Sequence, residues 1–363
     1  MYRRQRFSLL AITNIMNFHE ALVPLLAGKN LSGKQAFSIF LALFEEKLSK
    51  AQAKSLLLLL AKKGESPGEL QGCLEALRKL EPPRKTGIRR LMDTCGTGGD
   101  GKGSLNISTL AAFVIAGAGG KVAKHGNRSI SSSCGSSDLV EALGVKLDAG
   151  PGKMIAAIRQ CGIGYFHAPF YHPVFARVQG LRRELKTRTI FNLLGPLANP
   201  LELEGQLVGV ARKKNLRLFA EALRKRKIRR ALVCRGADGL DEISAACETD
   251  AAWVSRGRIR YKKIKPGDRF SLSFPRKSLD FAKTMSDTGT LSKNKSLALG
   301  ILRGKTKGYW REMVVLNGAA GLVVAGRAKS LPEASRLAEE SLDSGRAYAA
   351  LRSLVRISRG RRA

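Results

Sequence analysis

Asp93-Thr94-Cys95-Gly96-Thr97-Gly98-Gly99-Asp100-Gly101-Lys102-Gly103-Ser104-Leu105-Asn106-Ile107-Ser108-Thr109 is the stretch that decides how this chain is read. Five of the eight residues from Gly96 to Gly103 are glycine. Ile88-Arg89-Arg90-Leu91-Met92 before it predicts a short strand, and the apolar run Leu110 to Ala118 after it predicts a buried helix. The order is therefore strand, glycine loop, hydroxyl-rich turn, helix. Glycine lets the backbone take positive φ and approach a ligand closely. The N–H groups of such a loop, with the N-terminus of the next helix, make a site for an anion such as phosphate. Asn106, Ser108 and Thr109 can cap that helix or donate to phosphate oxygens. Asp100 inside the loop points to a sugar hydroxyl or a metal-bound water as partner. Neither G-x-G-x-x-G at dinucleotide spacing nor G-x-x-x-x-G-K-[ST] is matched. A glycine cluster alone reads as a flexible loop; the flanking strand and helix, with Asp100, favour phosphate.

Further along, Lys124-His125-Gly126-Asn127-Arg128-Ser129-Ile130-Ser131-Ser132 packs two cations, an imidazole, an amide and three hydroxyls into nine residues. A lone Lys-His pair would be a polar turn, whereas the whole string is a dense donor set for a diphosphate. Cys134 beside it has no base placed near it by sequence and reads as an inert thiol. Gly236-Ala237-Asp238-Gly239-Leu240-Asp241-Glu242-Ile243-Ser244 puts adjacent carboxylates into a very basic chain. An exposed acidic turn is the usual fate of such a pair. Mg²⁺ is the other use, since it takes one or two carboxylates plus substrate oxygens and waters.

Gly96-Thr97-Gly98-Gly99-Asp100-Gly101 followed by Asn106-Ile107-Ser108-Thr109 resembles the phosphoribosyl-diphosphate loop of the anthranilate phosphoribosyltransferases. The Lys124 string, continuing through Ser136 and Asp138 to Gly144, resembles the second phosphate-contacting motif of that family. The resemblance implies that 5-phosphoribosyl 1-diphosphate is held by Gly96, Gly99, Asp100, Ser104, Asn106, Ile107, Ser108 and Thr109. It adds Lys124, His125, Gly126, Asn127, Arg128, Ser129, Ser131, Ser132 and Ser136 from the second motif. Phe166 to Pro173 and Leu181 to Pro200 resemble the hinge and aminobenzoate-binding region. Arg182 and Asn127 then hold anthranilate, with Gly96 beside it and His172 lining its path. A planar two-pronged donor is what an aromatic carboxylate needs, and arginine supplies it. Alone, His172 would be a structural histidine and Arg182 a surface cation. The acidic turn matches G-x-D-G-L-D-E-[IL]-S, so Asp241 and Glu242 carry over as Mg²⁺ ligands, with Ser108 as a further one. Leu316-Asn317-Gly318-Ala319-Ala320-Gly321-Leu322 resembles the family's asparagine-alanine helix, which packs and does no chemistry. One departure is Lys186, where the family has glycine, and it predicts a local change at a helix end.

The 363 residues can bury a large core. Six cysteines without C-x-x-C spacing read as isolated thiols in a cytoplasmic protein, not as a disulfide frame or zinc site. No apolar run reaches transmembrane length. Sixty-four basic against 29 acidic residues give a net charge of +35, concentrated from Arg212 to Arg230 and from Arg352 to Ala363. Such a surface attracts polyanions. No nucleic-acid-binding signature accompanies it, and aromatics at 6% argue against a stacking platform.

Residues 1–17 read as a basic N-terminal extension, 18–83 as a helical domain, 88–355 as an α/β domain and 356–363 as a basic tail. Capping boxes start helices at Ser32, Ser49 and Ser66, with Pro67 at the first helical position of the last. Leu56 to Leu60 is apolar all round and predicts a fully buried helix. Beyond Ile88, runs such as Lys121–Ala123, Gln206–Val210 and Ala231–Cys234 alternate with helical ones, which predicts a mostly parallel sheet covered on both faces. The resemblance implies the nucleoside phosphorylase/phosphoribosyltransferase fold, a helical domain joined by a segment within 151–190, and a homodimer. The activity it implies is phosphoribosyl transfer to the amine of anthranilate, in tryptophan biosynthesis. Two alternatives stand beside it: a pyrimidine nucleoside phosphorylase on the same fold, and a nucleic-acid-binding relative without catalysis.

Overall fold

Serine side chains start three of the first four helices. A computed structural model describes residues 18–98, 105–128, 134–265 and 288–360. In it α1 (Phe18–Leu26) leads to α2 (Gly33–Phe44), α3 (Lys50–Lys63) and α4 (Pro67–Leu80). Ser32, Ser49 and Ser66 accept from the backbone N–H of Gln35, Gln52 and Glu69, whose side chains accept from the serine N–H groups in return. The Glu69 carboxylate, fully buried, also accepts from Leu31 N at 2.9 Å and from Lys63 Nζ at 2.9 Å. One carboxylate thus ties the entry of α2 and the end of α3 to the start of α4. The leucine run is not buried all round: Leu56, Leu57 and Leu60 are buried, while Leu58 is 44% exposed. The run covers one side of α3 against the bundle and leaves the other to solvent.

Then strands and helices alternate. In order come β1 (Leu91–Gly96), α5 (Ile107–Gly117), β2 (Lys121–Gly126), α6 (Ser136–Ala142), α7 (Pro151–Cys161), β3 (Ile163–His167) and the short α8 (Ala168–Tyr171). Next are α9 (Pro173–Leu185), α10 (Ile190–Leu194), β4 (Gly205–Gly209), α11 (Lys213–Lys225), β5 (Arg230–Gly236), β6 (Thr249–Ser255) and β7 (Arg258–Ile264). After these come α12 (Leu291–Leu302), α13 (Tyr309–Val324), α14 (Leu331–Asp343) and α15 (Arg346–Ser358). The described chain forms two compact units. One joins residues 18–81 to Val174–Leu194; the other takes Pro82–Pro173 and everything described from Gly195 on. The inserted segment of the helical unit therefore runs past residue 190. Lys186, just after α9, has φ +47, the left-handed conformation that glycine takes at helix ends.

The sheet runs β3-β2-β1-β4-β5-β6-β7. β3 to β5 are mutually parallel, and β6 and β7 add antiparallel pairs. Strand order reverses between β1 and β4: the chain leaves β1 towards β2 and β3, then returns to β1's other side. In open α/β sheets ligands bind beyond the carboxyl ends of strands at such a point. α13 lies on α5 through small residues; a Cβ added at Gly318 would stand 2.9 Å from Val114. The first strand begins at Leu91, not Ile88, because Arg90 turns the chain at φ +56. α15 continues through Ser358, so the start of the basic tail is helical.

Candidate active site

The site grows from the reversal point. Gly96 at the end of β1 pairs in register with Gly209 at the end of β4, and Thr97 N donates to Gly209 O at 2.9 Å. Asp241 lies against both glycines. A Cβ at Gly96 would overlap Asp241 Oδ2, and one at Gly209 would overlap the Asp241 carbonyl oxygen. The strands end in glycine because the acidic turn occupies the space a side chain needs. Gly98 follows with φ +61 and donates its N–H to Asp241 Oδ2 at 2.8 Å. The neighbouring Glu242 accepts from Ser108 N at 3.2 Å, in the first turn of α5. Both carboxylates are buried, at 8% and 9% exposure, so the acidic turn is not the exposed one that a lone Asp-Glu pair favours.

Asn317 of α13 fixes this turn: its Oδ1 accepts from Ile243 N at 3.0 Å and its Nδ2 donates to Ile243 O at 3.0 Å. Sequence reasoning gave that helix a packing role; the available signal was an amide inside the apolar run Val314 to Val324. Asp238 braces the other side, accepting from Leu240 N at 3.1 Å and Ser244 Oγ at 2.6 Å.

Two adjacent buried carboxylates lie on the N–H groups of Gly98 and Ser108, and with the Ser108 hydroxyl they would make an all-oxygen donor set. Among the described residues no group of three or more His, Cys, Asp or Glu side chains converges. Such a set fits Mg²⁺, which completes its shell with substrate oxygens and waters, better than a metal needing a full protein cage.

The second motif begins inside the fold. Lys124 is 2% exposed, and its ammonium donates to His125 O at 3.1 Å. It also lies within electrostatic reach of the buried Asp93. Lys124 is therefore placed as a buried charge and not as an exposed donor. Asp93, in mid-strand on β1, accepts from His125 N at 3.2 Å and from Asn199 Nδ2 at 2.9 Å. Burial raises its carboxyl to about 6 despite the nearby Lys124 ammonium. Neither Asp93 nor Asn199 was picked out from sequence. His125 is buried and packs edge-on to His172, ring centroids 5.2 Å apart; burial and then His172 hold its pKa well below the usual imidazole range, so it is neutral. His172 is itself 3% exposed.

Gly126 has no room for a side chain, since a Cβ there would overlap Ser136 Oγ and Tyr165 Oη. Asn127 N donates to Ser136 Oγ at 3.2 Å and Ser136 Oγ donates to Asn127 O at 3.2 Å, tying the loop to α6. The Arg128 guanidinium is committed to Asp138 at 2.9 Å and Glu141 at 2.8 Å. Asn106 is the N-cap of α5 but makes no side-chain cap; its amide donates to Cys134 O at 3.3 Å instead. Ile107 and Thr109 are buried, and their N–H groups bond to Leu105 O and Asn106 O at the helix start. Burial raises the Cys134 thiol's pKa, in keeping with an inert cysteine. Arg182 sits in the last turn of α9, half-buried, in the helical unit. Gly99, Asp100, Ser104, Ser129, Ser131 and Ser132 lie outside the described residues.

Residues 89–348 match the family model described as glycosyl transferase family, a/b domain, and residues 19–80 match the helical bundle domain of the same family. Fold and site thus define a two-part glycosyl transferase. Among curated relatives, the anthranilate phosphoribosyltransferase of Desulfosudis oleivorans is 41% identical, over 94% of this chain and 99% of its own. That of Persephonella marina is 42% identical, over 92% and 96%. The crystal structure of anthranilate phosphoribosyltransferase from Thermus thermophilus superposes with a TM-score of 0.84 at 38% identity, covering 93% of this chain and 99% of that one. The Saccharomyces cerevisiae enzyme, solved in complex with PRPP and Mg, shares the fold at a TM-score of 0.81 and 22% identity, covering 94% and 98%. The chain belongs to the anthranilate phosphoribosyltransferase family.

Proposed function

We propose that this protein transfers the phosphoribosyl group of 5-phosphoribosyl 1-diphosphate to the amine of anthranilate, in tryptophan biosynthesis. The observation that carries the reading is the seating of Asp241 and Glu242 on the N–H groups of Gly98 and Ser108, at the sheet's reversal point. In the reaction the anthranilate nitrogen lone pair forms a bond to ribosyl C1. The C1–oxygen bond breaks, diphosphate leaves with its electron pair, and the amine proton passes to solvent. The neutral aniline is already a nucleophile, so no side chain is assigned as general base.

Asp241, Glu242 and Ser108 would hold Mg²⁺, which when bound offsets charge on the leaving diphosphate. The start of α5 presents its positive dipole end to the phosphates. Lys124, buried, adds fixed positive charge from within the fold. Gly96 sits beside anthranilate, and its missing side chain leaves the Asp241 carboxylate undisturbed. Arg182 and Asn127 anchor its carboxylate, and His172 beside neutral His125 lines its approach. Binding and positioning supply most of the acceleration.

Val23 and Leu26 of α1 stand 69% and 66% exposed, and they support a homodimer formed through the helical unit. All six cysteines are free, which fits a reducing cytoplasm. Among the described residues no helix is long and apolar enough to cross a membrane.

Loss of anthranilate fluorescence on adding the diphosphate sugar and Mg²⁺ tests the assignment directly. Arg182→Ala is expected to raise KM for anthranilate far more than for the sugar; equal loss of both contradicts its role. Asp241→Asn with Glu242→Gln is expected to abolish Mg²⁺-dependent turnover. Phosphorolysis of pyrimidine nucleosides, with no anthranilate consumption, would overturn the reading in favour of a phosphorylase.

A further inference from the structure

The cationic run from Arg212 to Arg230 plays no part in the site above. It forms α11 and its flanks, and it carries ten Lys and Arg against one acid, Glu221. Lys213, Arg217 and Arg224 recur at intervals of four and seven residues, so they share one stripe of the helix, about 16 Å long. Opposite them is β7, which ends the sheet among the described strands. Between the two runs a groove of about 450 Å³ lined by that stripe, Leu216, Glu221, Ile259 and Tyr261. Tyr261 is 54% exposed, an aromatic ring left in solvent among cations. Glu221 is neutralised by Arg224, at 2.8 Å. Lys213 and Arg217 have no ion-pair partner among the described residues, and neither have Arg258, Arg260 and Lys262, which alternate along the other face of β7.

We propose that this groove binds single-stranded nucleic acid. The cation stripe is longer than a single nucleotide and follows one line, as a phosphodiester backbone does. The apolar floor of Leu216 and Ile259, with the exposed ring of Tyr261, gives a base a face to stack on. An acidic peptide would use the cations but leave the ring unused. Low overall aromatic content does not weigh against this, because one placed ring serves where composition counts only an average.

The test is fluorescence anisotropy of the full-length protein with a labelled oligothymidylate of about twenty nucleotides, titrated across salt concentrations. Wild-type protein is expected to bind, with log K falling linearly against log salt. Lys213→Ala with Arg217→Ala should flatten that slope by about 1.4, at ~0.7 for each phosphate that is no longer neutralised. Tyr261→Ala should weaken binding about 5- to 150-fold and leave the slope unchanged. Lys85→Ala with Arg89→Ala, exposed cations outside the groove, should change neither quantity. All three variants should turn over anthranilate normally, which shows that they are folded. The proposal is overturned if wild-type protein fails to bind at low salt or if Tyr261→Ala binds as tightly as wild type. It is equally overturned if the control pair costs as much as the groove pair. Competition by polyphosphate or polyglutamate as effective as by unlabelled strand would also overturn it.

Discussion

At Gly96 a single methyl group is enough to disturb the site. The residue does not have positive φ, so its backbone would accept alanine; the obstacle is Asp241 Oδ2 alone. Gly96→Ala is expected to keep the fold and to lower kcat/KM for the diphosphate sugar about 100-fold, the scale of a 1 Å displacement in an active site. Circular dichroism and the fluorescence assay check the two halves; wild-type turnover would show that the acidic turn tolerates displacement. Glycines, carboxylates and the Lys124 string were legible at this scale because each is a dense local pattern. Asp93 was not, because its partner Asn199 lies 106 residues away and no local pattern marks the pair. The charge of Lys124 was legible, but its burial was not, because sequence shows a cation and not which way it turns.

Among the elements, the three capped helices were the most legible, since a capping box is closed within four residues. Glu69 exceeds that role. Ser66→Ala should cost about 1 kcal/mol, the usual loss of a cap. Glu69→Ala should cost about 3–5 kcal/mol, because it leaves Lys63 buried without its partner. Thermal melts of the two variants compare them, and equal losses would reduce Glu69 to a cap. At the end of α9, Lys186 is strained. Relieving left-handed strain returns about 1–2 kcal/mol, while glycine's extra freedom in the unfolded chain takes back about 0.4–1. Lys186→Gly should therefore stabilise the protein by about 0.5–1 kcal/mol in urea unfolding; destabilisation would mean the lysine makes a compensating interaction. Strands β3, β6 and β7 were missed. β3 is short and holds Gly164, whereas β7 has so many Lys and Arg that its alternation reads as a charge run.

For the whole molecule, electrostatics offers two measurements. Asp93's carboxyl is raised from 3.8 to about 6. A raised carboxyl contributes stability that is complete below pH ~4 and lost as pH climbs through ~6. Urea unfolding of wild type minus Asp93→Asn, compared at pH 5 and pH 7.5, should differ by about 1.4 kcal/mol, with wild type favoured at the lower pH. No difference would place that carboxyl near its ordinary pKa. A net charge of +35 also repels itself. Taking salt from about 10 to 100 mM shortens screening from about 30 to 10 Å and should raise Tm by a few degrees; a fall would mean attractive pairs dominate. The helical start and the mostly parallel sheet followed from the pattern of elements, but the reversal point did not, since alternation leaves strand order open. The partner of each buried polar group did not, because that depends on which distant segments the sheet order brings together.

That β7 ends the sheet among the described strands has a further consequence. A terminal strand offers unpaired N–H and C=O groups to any other strand that meets it, including its own twin on a neighbouring molecule. Arg258, Arg260 and Lys262 keep such twins apart by like-charge repulsion. Replacing that row with neutral residues would remove the barrier, and the protein would then be prone to join sheet to sheet into insoluble assemblies while each copy remained natively folded.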